Sequence, residues 1–163
     1  MNLLALVDGI QPEILSIADV LTYFIKHRTE VITRRTKFDL EKAKERAHIL
    51  EGLMIALKHI DQVISLIKKS KDRDEAKNNL IKKFKLSERQ AVAILQMQLQ
   101  TLAGLERKKI ENELKEILEI IKELVAILKS PEKLKNIIEK ELKELKEKFG
   151  DKRRTKVVKQ KLG

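Results

Sequence analysis

A heptad repeat in the second half of this 163-residue chain constrains its fold more than any other feature. Between residues 105 and 129, apolar side chains recur with spacings of 4, 3, 4, 3 and 4, the pattern of a coiled-coil seam. The seam residues are Ile110, Leu114, Ile117, Ile121, Leu124 and Leu128. A stripe this narrow is covered by a single partner helix, so the pattern predicts a long helix that pairs with another.

The first half of the chain contains a candidate partner helix. Ser16 is a suitable N-cap, Asp19 follows three residues later, and neither Gly nor Pro then occurs until Gly52. Between residues 33 and 48 apolar side chains are sparse, which fits a narrow seam against one partner. The predicted seam residues of this arm are Val20, Phe24, Val31 and Phe38.

The sequence between the two arms predicts a small body of helices. From Ile49 to Ile67 the apolar stripe widens, and Gly52 fits close packing inside a helix. Asp72 starts one shorter helix, and Ser87, with Gln three residues later, starts another over about 88–100. Because this body separates the arms in sequence, the arms must run antiparallel if they pair.

The predicted fold class is all-α: a long antiparallel coiled-coil hairpin capped by a small helical globular domain, with a short extended N-terminal segment. The segment over 1–15 contains a strand at 3–7 and a turn. An outgoing arm over 16–48, a helical knob over 49–104 and a returning arm with a base helix over 105–149 follow. The base helix starts at Ser130-Pro131, and a basic tail covers 150–163. Seam burial alone cannot offset the entropy of ordering the arms, so further stability must come from the knob, from the base helix or from another chain. We expect a dimer through the knob.

Composition excludes several functional classes. The chain has no Cys, which removes thiolate chemistry and Cys-based zinc sites and fits an intracellular compartment. Aromatic residues make up 3%, too few for a protein that stacks bases on aromatic platforms. The longest apolar run is broken by charges, so no membrane span is predicted. No catalytic site, cofactor site or metal site is predicted; His48 and His59, for example, are about three helical turns apart.

Positive charge is concentrated in two places. The formal net charge is +11, and the basic residues that could face DNA are Arg34, Arg35, Lys37, Lys152, Arg153 and Arg154. Clustered Lys and Arg bind phosphates by releasing counterions. The competing interpretation is a solvated helix face and a soluble tail.

Four stretches of the sequence resemble the A-subunit family of bacterial DNA gyrase, a type IIA topoisomerase. They are YFIKHR from Tyr23, VITRRTKFDLEKAKERAHILEGL from Val31, LSERQAVAILQMQLQTLAGLE from Leu86 and FGDKRRT from Phe149. The resemblance extends over about residues 1–156. The C subunit of topoisomerase IV is a close relative, but HILEGL and FGDKRRT favour gyrase.

This resemblance implies the coiled-coil and exit-gate region of the gyrase protein. In the family, two helical tips meet across a two-fold axis and form the gate (C-gate) through which the transported DNA segment leaves. The implied partners are a second copy of the chain, double-stranded DNA and the gyrase B subunit, in the bacterial cytoplasm with the chromosome. Residues 1–15 look like the remnant of a preceding domain. The family's active-site tyrosine lies in an Arg-Tyr-Thr context that is missing here, and Tyr23 does not match it; no catalysis by the chain itself is expected.

Two functional hypotheses follow. The preferred one is a homodimerisation and gate module, with the contact between Ser87 and Gly104. Its predicted interface residues are Ile94, Leu95, Met97, Gln98, Leu99 and Leu102. Some of these side chains must instead pack inside one knob, because helical spacing puts Met97 and Gln98 off the side that the others share. The alternative function is an autonomous basic coiled coil that binds duplex DNA non-specifically through the basic clusters.

Overall fold

The computed structural model describes residues 3–7, 9, 11–97 and 104–156 of the chain. These residues form a two-stranded hairpin followed by helices, so the fold is all-α apart from its start. The elements are β1 (Leu3–Val7), β2 (Gln11–Leu15), α1 (Ile17–Lys58), α2 (Ile60–Lys69), α3 (Arg73–Phe84), α4 (Glu88–Gln96), α5 (Gly104–Lys129) and α6 (Pro131–Phe149).

The chain divides into two compact units. The first unit comprises Met1–Thr33 with Ser130–Gly163, and the second comprises Arg34–Lys129. Helix α1 therefore contributes its start to the first unit and its remainder to the second.

The first unit begins with an antiparallel β-hairpin. Strand β1 was predicted, but β2 was not, because its sequence QPEIL contains Pro12 and no clear alternation. The register pairs Leu3 with Leu15 and Val7 with Gln11. Gly9 in the turn has φ of +73°, a conformation that side chains other than glycine's rarely adopt.

Helix α1 starts where its capping residues predict. The Ser16 hydroxyl accepts a hydrogen bond from the Asp19 backbone N–H at 3.2 Å, and the Asp19 carboxylate accepts one from the Ser16 N–H at 2.9 Å. The helix then continues without interruption for 42 residues. It ends at His59 (φ −121°, ψ 36°) and α2 restarts at Ile60. The sequence gives no sign of this break, since the apolar spacing continues through it.

Helix α6 completes the first unit. Ser130 caps it by accepting a hydrogen bond from the Lys133 N–H at 3.3 Å. Leu134 and Ile138 on α6 are buried, and Glu141 forms an ion pair with Arg28 of α1. The observed bounds, Pro131–Phe149, confirm the start and the end that the sequence predicted for this helix.

Among its described residues, the second unit has two hydrophobic clusters. Helices α2, α3 and α4 pack with the end of α1 around one cluster. Its buried residues are Ala56, Val63, Leu80, Leu86, Ala91 and Ile94. The other cluster joins α1 to α5 through Leu50, Leu57 and Ile110. The shorter helices thus have a core of their own next to the α1–α5 contact.

Within the second unit, α1 and α5 pack antiparallel. Leu50 lies in one cluster with Ile110, and Arg46 Nε lies 2.6 Å from Glu113 Oε1. From Leu50 back to Arg46 on α1, the partner position on α5 moves forward from Ile110 to Glu113, so the two helices run in opposite directions. On α5, Ile110 is buried and the other five stripe residues are half-buried, whereas Leu118 and Ile120, off the stripe, are exposed.

The α1 side of this pairing corrects part of the predicted seam. The prediction of Phe38 as a seam residue is wrong: 59% of its surface is exposed, and Lys42 Nζ lies over its ring, 4.5 Å from the centroid. In the first unit, Val20 and Phe24 are also exposed and Val31 is half-buried. Between residues 34 and 50 of α1, a set of buried or half-buried positions recurs with heptad spacing: Thr36, Leu40, Ala43, Ala47 and Leu50. Sequence reasoning followed the largest apolar side chains, whereas this seam uses threonine and alanine.

The cap of α1 makes its stability depend on pH. The hydrogen bond from the Ser16 hydroxyl, followed by that from the Ser16 backbone N–H, lowers the pKa of Asp19. Because the folded-state pKa lies below the unfolded one, ionised Asp19 stabilises the helix start above the unfolded pKa. This contribution is lost as pH falls through the folded pKa. We expect the Asp19 carboxyl ¹³C signal to titrate below the ordinary midpoint of about 3.9, and Ser16→Ala to return it towards that value. A wild-type midpoint at or above the ordinary value would contradict this account.

Candidate functional site

The predicted interface residues that the structure describes lie at the end of α4. Ile94 is buried in the core of the short helices, with 3% of its surface exposed. Leu95 is half-buried and packs against the same core, and Met97 is half-buried against the α1–α5 cluster. Gln98, Leu99 and Leu102 lie outside the described residues. The end of α4 is thus anchored on both clusters of the second unit.

A buried glutamine joins α4 to α1. Gln90 is 6% exposed, and its side-chain Nε2 donates a hydrogen bond to the His48 backbone carbonyl at 2.7 Å. Its Oε1 accepts from the Ser87 N–H at 3.0 Å and completes the predicted capping box. His48 Nε2 lies 2.7 Å from the Ser87 hydroxyl oxygen. One side chain therefore both caps α4 and binds the backbone of α1.

Gly52 allows this close approach. A Cβ at this position would lie 2.6 Å from Gln90 Cγ and 2.7 Å from Gln90 Cβ, distances that real Cβ atoms do not tolerate. The predicted role of Gly52 in close packing is therefore confirmed. Sequence reasoning placed Gln90 only in the capping box, because its bond to α1 has no local signature.

Ion pairs support the same helix arrangement from outside. Arg89 of α4 pairs with Glu45 of α1, and Lys77 of α3 lies 2.9 Å from Glu88 of α4. The hydrogen bond from Lys77 to Glu88 raises the pKa of Lys77. These contacts are solvent-accessible and contribute modestly to stability. They join α4 to α1 and to α3, so they favour the same position of α4 as the buried glutamine does.

His48 and His59 each contact side chains from elsewhere in the second unit. His59 stacks on Phe84 with ring centroids 5.8 Å apart, and His48 contacts the α4 cap. Among the described residues, no three His, Asp or Glu side chains come together as metal ligands. None of the helices described above has the length and hydropathy to cross a bilayer.

The predicted DNA-facing basic residues belong to different units. Arg34, Arg35 and Lys37 are exposed in the second unit. Three more, Lys152, Arg153 and Arg154, are exposed in the first unit. In the tail, Arg154 pairs with Asp151 at 2.6 Å and Arg153 Nε donates to the Thr155 hydroxyl oxygen at 3.2 Å.

A basic groove that the sequence analysis missed lies between α2 and α3. Its volume is about 690 Å³. The lining residues are Asp61, Gln62, Ser65, Leu66, Lys69, Asn79, Lys82 and Lys83. The only sign of this groove in the sequence is the two Lys-Lys pairs, at 68–69 and 82–83. Helix packing is needed to bring these pairs to one surface.

Comparison with known proteins assigns the family. The family of DNA gyrase/topoisomerase IV A subunits matches residues 1–143. The chain belongs to this family. Similar relatives include the DNA gyrase A subunits of Clostridium acetobutylicum (56% identical over 155 residues, 95% of this chain and 19% of the relative) and Streptococcus pneumoniae (54% over 157 residues, 96% and 19%). That of Staphylococcus aureus is 48% identical over 157 residues, 96% of this chain and 18% of the relative.

The match covers almost all of this chain but a small part of each relative. The chain spans about one fifth of the length of these curated relatives. Membership of the family is therefore established for the segment that carries the α1–α5 pair and the α4 anchor. The activity of a whole gyrase protein belongs to the longer relatives.

The close approach at Gly52 gives a stability prediction. Alanine gains about 1 kcal/mol of helix propensity over glycine, but overpacking against Gln90 costs about 1–3 kcal/mol and strains its bond to His48. We expect Gly52→Ala to lower the free energy of unfolding by about 1 kcal/mol net, measured by urea unfolding followed by circular dichroism. The control is Glu51→Ala at the neighbouring exposed position, which should be neutral or stabilising. A Gly52→Ala protein more stable than wild type would show that α4 does not need this approach.

Proposed function

We propose that this chain is the exit gate of the A subunit in a type II topoisomerase. In this proposal it dimerises through the helical body of the second unit and opens to release the transported DNA segment. The observation that carries the proposal is the antiparallel α1–α5 pair with a separately packed body of short helices, α2–α4, at its end. A paired stalk holds such a body at a distance from the rest of a protein.

The family relationship supports a role for this chain within a longer protein. The related DNA gyrase A subunits are about five times longer than this chain, and we propose that it works as part of such a protein. Its partners are then a second copy, duplex DNA and the gyrase B subunit, in the bacterial cytoplasm. The chain itself performs no catalytic step and needs no cofactor in this role.

The composition of the α4 region supports its role as the contact. Residues 91–105 form a run of fifteen without Asp, Glu, Lys or Arg, in a chain that is 37% charged. Depletion of charge is typical of the cores of protein interfaces. Leu95 and Met97, at the end of α4, are half-buried in the single chain. A second copy could cover their remaining surface, whereas Ile94 supports the segment from beneath.

A charge placed in this run tests the interface. In a two-fold interface each residue near the axis meets its own copy, so Gln98→Glu brings two negative charges together. We expect the dimer dissociation constant to rise at least about tenfold, since like charges in an interface cost several kcal/mol. Sedimentation equilibrium over a concentration series measures it.

Asn78→Asp provides the matched control. It makes the same charge change on the exposed surface of α3 and should leave the dimer unchanged. A wild-type chain that stays monomeric at every concentration would contradict the proposed function. An equal effect of the two variants, or no effect of either, would contradict the position of the contact.

A further inference from the structure

We propose that the groove between α2 and α3 binds the phosphate backbone of duplex DNA. The groove lies within one chain and uses the exposed ammonium groups of Lys69, Lys82 and Lys83. This inference goes beyond the proposed dimerisation and does not depend on it.

The charges of this groove are not neutralised by the surrounding helices. None of Lys69, Lys82 and Lys83 forms an ion pair with any residue that the structure describes; Lys83 lies over the Phe84 ring, 5.6 Å from its centroid. Asp61 is the single carboxylate among the eight lining residues. By contrast, Lys77 and Arg89, close by in sequence, are both paired with glutamates. Unpaired cations at one concave surface attract an anionic ligand.

The neutral side chains of the groove favour phosphate in particular. Gln62, Ser65 and Asn79 line it beside the lysines, and amides and hydroxyls are the usual companions of Lys at DNA phosphates. Asn79 has one long contact of 3.5 Å to the Ser70 hydroxyl oxygen, so its amide keeps donor capacity for a ligand.

The extent of the surface favours a polymer. An adjoining open hollow of about 400 Å³ on the surface of α2 shares Asp61, Ser65 and Lys69 with the groove and is also lined by Lys68. The two are continuous along α2, and both are open to solvent. A small anion is held by donors that enclose it, whereas an open basic track matches the repeated phosphates of a backbone.

Fluorescence anisotropy of the full chain with a labelled 20-base-pair duplex tests the proposal at several salt concentrations. The variant is Lys69→Ala/Lys82→Ala/Lys83→Ala. We expect this variant to bind DNA about tenfold more weakly at 0.1 M salt. The slope of log K plotted against log salt concentration should become smaller in magnitude by about 2–3. The matched control removes three exposed lysines of α5 and α6, Lys115→Ala/Lys140→Ala/Lys148→Ala, and should change the slope by less than 1. A third variant, Lys69→Arg/Lys82→Arg/Lys83→Arg, keeps the positive charges and should bind as wild type does.

The outcomes separate this proposal from its competitors. Equal losses in the groove and control variants would mean that only net charge matters, and would overturn it, as would no loss in either. Inorganic phosphate added at constant ionic strength should leave DNA binding unchanged; abolition of binding at low millimolar phosphate would identify a small-anion site instead. Measuring the Gln98→Glu protein in parallel keeps the two proposals distinct, because its groove is intact and its DNA binding per chain should persist.

Discussion

The antiparallel pairing of α1 with α5, through the cluster that contains Leu50, Leu57 and Ile110, is the constraint on which our account of the second unit depends. Between residues 34 and 50 α1 has a narrow apolar stripe, and its end also packs against the short helices. On α1 the stripe is built from small or short side chains, such as Ala43 and Ala47, and short side chains let two helices approach closely. The stripe on α5 supplies the larger Leu and Ile residues. Apolar burial between the two helices is therefore confined to a narrow stripe. The charged residues on either side of this stripe contribute more to solubility than to stability.

A second constraint fixes the short helices to this pair. Gln90 caps α4 and also binds the α1 backbone at His48, and Gly52 leaves room for its side chain. A buried amide with all its groups satisfied specifies one arrangement, because any displacement leaves polar atoms unpaired. The second half of α4 belongs to the uncharged run over 91–105 that we propose as the contact. Burial of Ile94, a member of that run, in the core of the short helices would reduce the loss of conformational entropy when two copies meet at the end of α4.

Local chemistry predicted the starts of helices well and long-range packing poorly. The caps at Ser16, Ser87 and Ser130 mark real helix starts, because a hydroxyl that accepts a first-turn N–H acts within three residues. The break at His59 and the strand β2 have no such signal. The seam of α1 was misplaced at Phe38 because size alone does not reveal which face a partner covers; the Phe38 ring is exposed, with Lys42 Nζ over one face. The lysines of the α2–α3 groove are far apart in sequence, and only tertiary packing brings them together.

The antiparallel α1–α5 pairing is the central claim, and spin-label distances test it directly. The chain has no cysteine, so pairs can be introduced at the exposed positions Lys44, Lys115 and Lys129, with unlabelled chain added to suppress distances between copies. Since Arg46 meets Glu113, the account predicts a short distance for the 44–115 pair. It predicts a clearly longer distance for the 44–129 pair, because fourteen residues at 1.5 Å each displace residue 129 by about 21 Å along the axis of α5. Equal distances for the two pairs, or a longer one for 44–115, would contradict it.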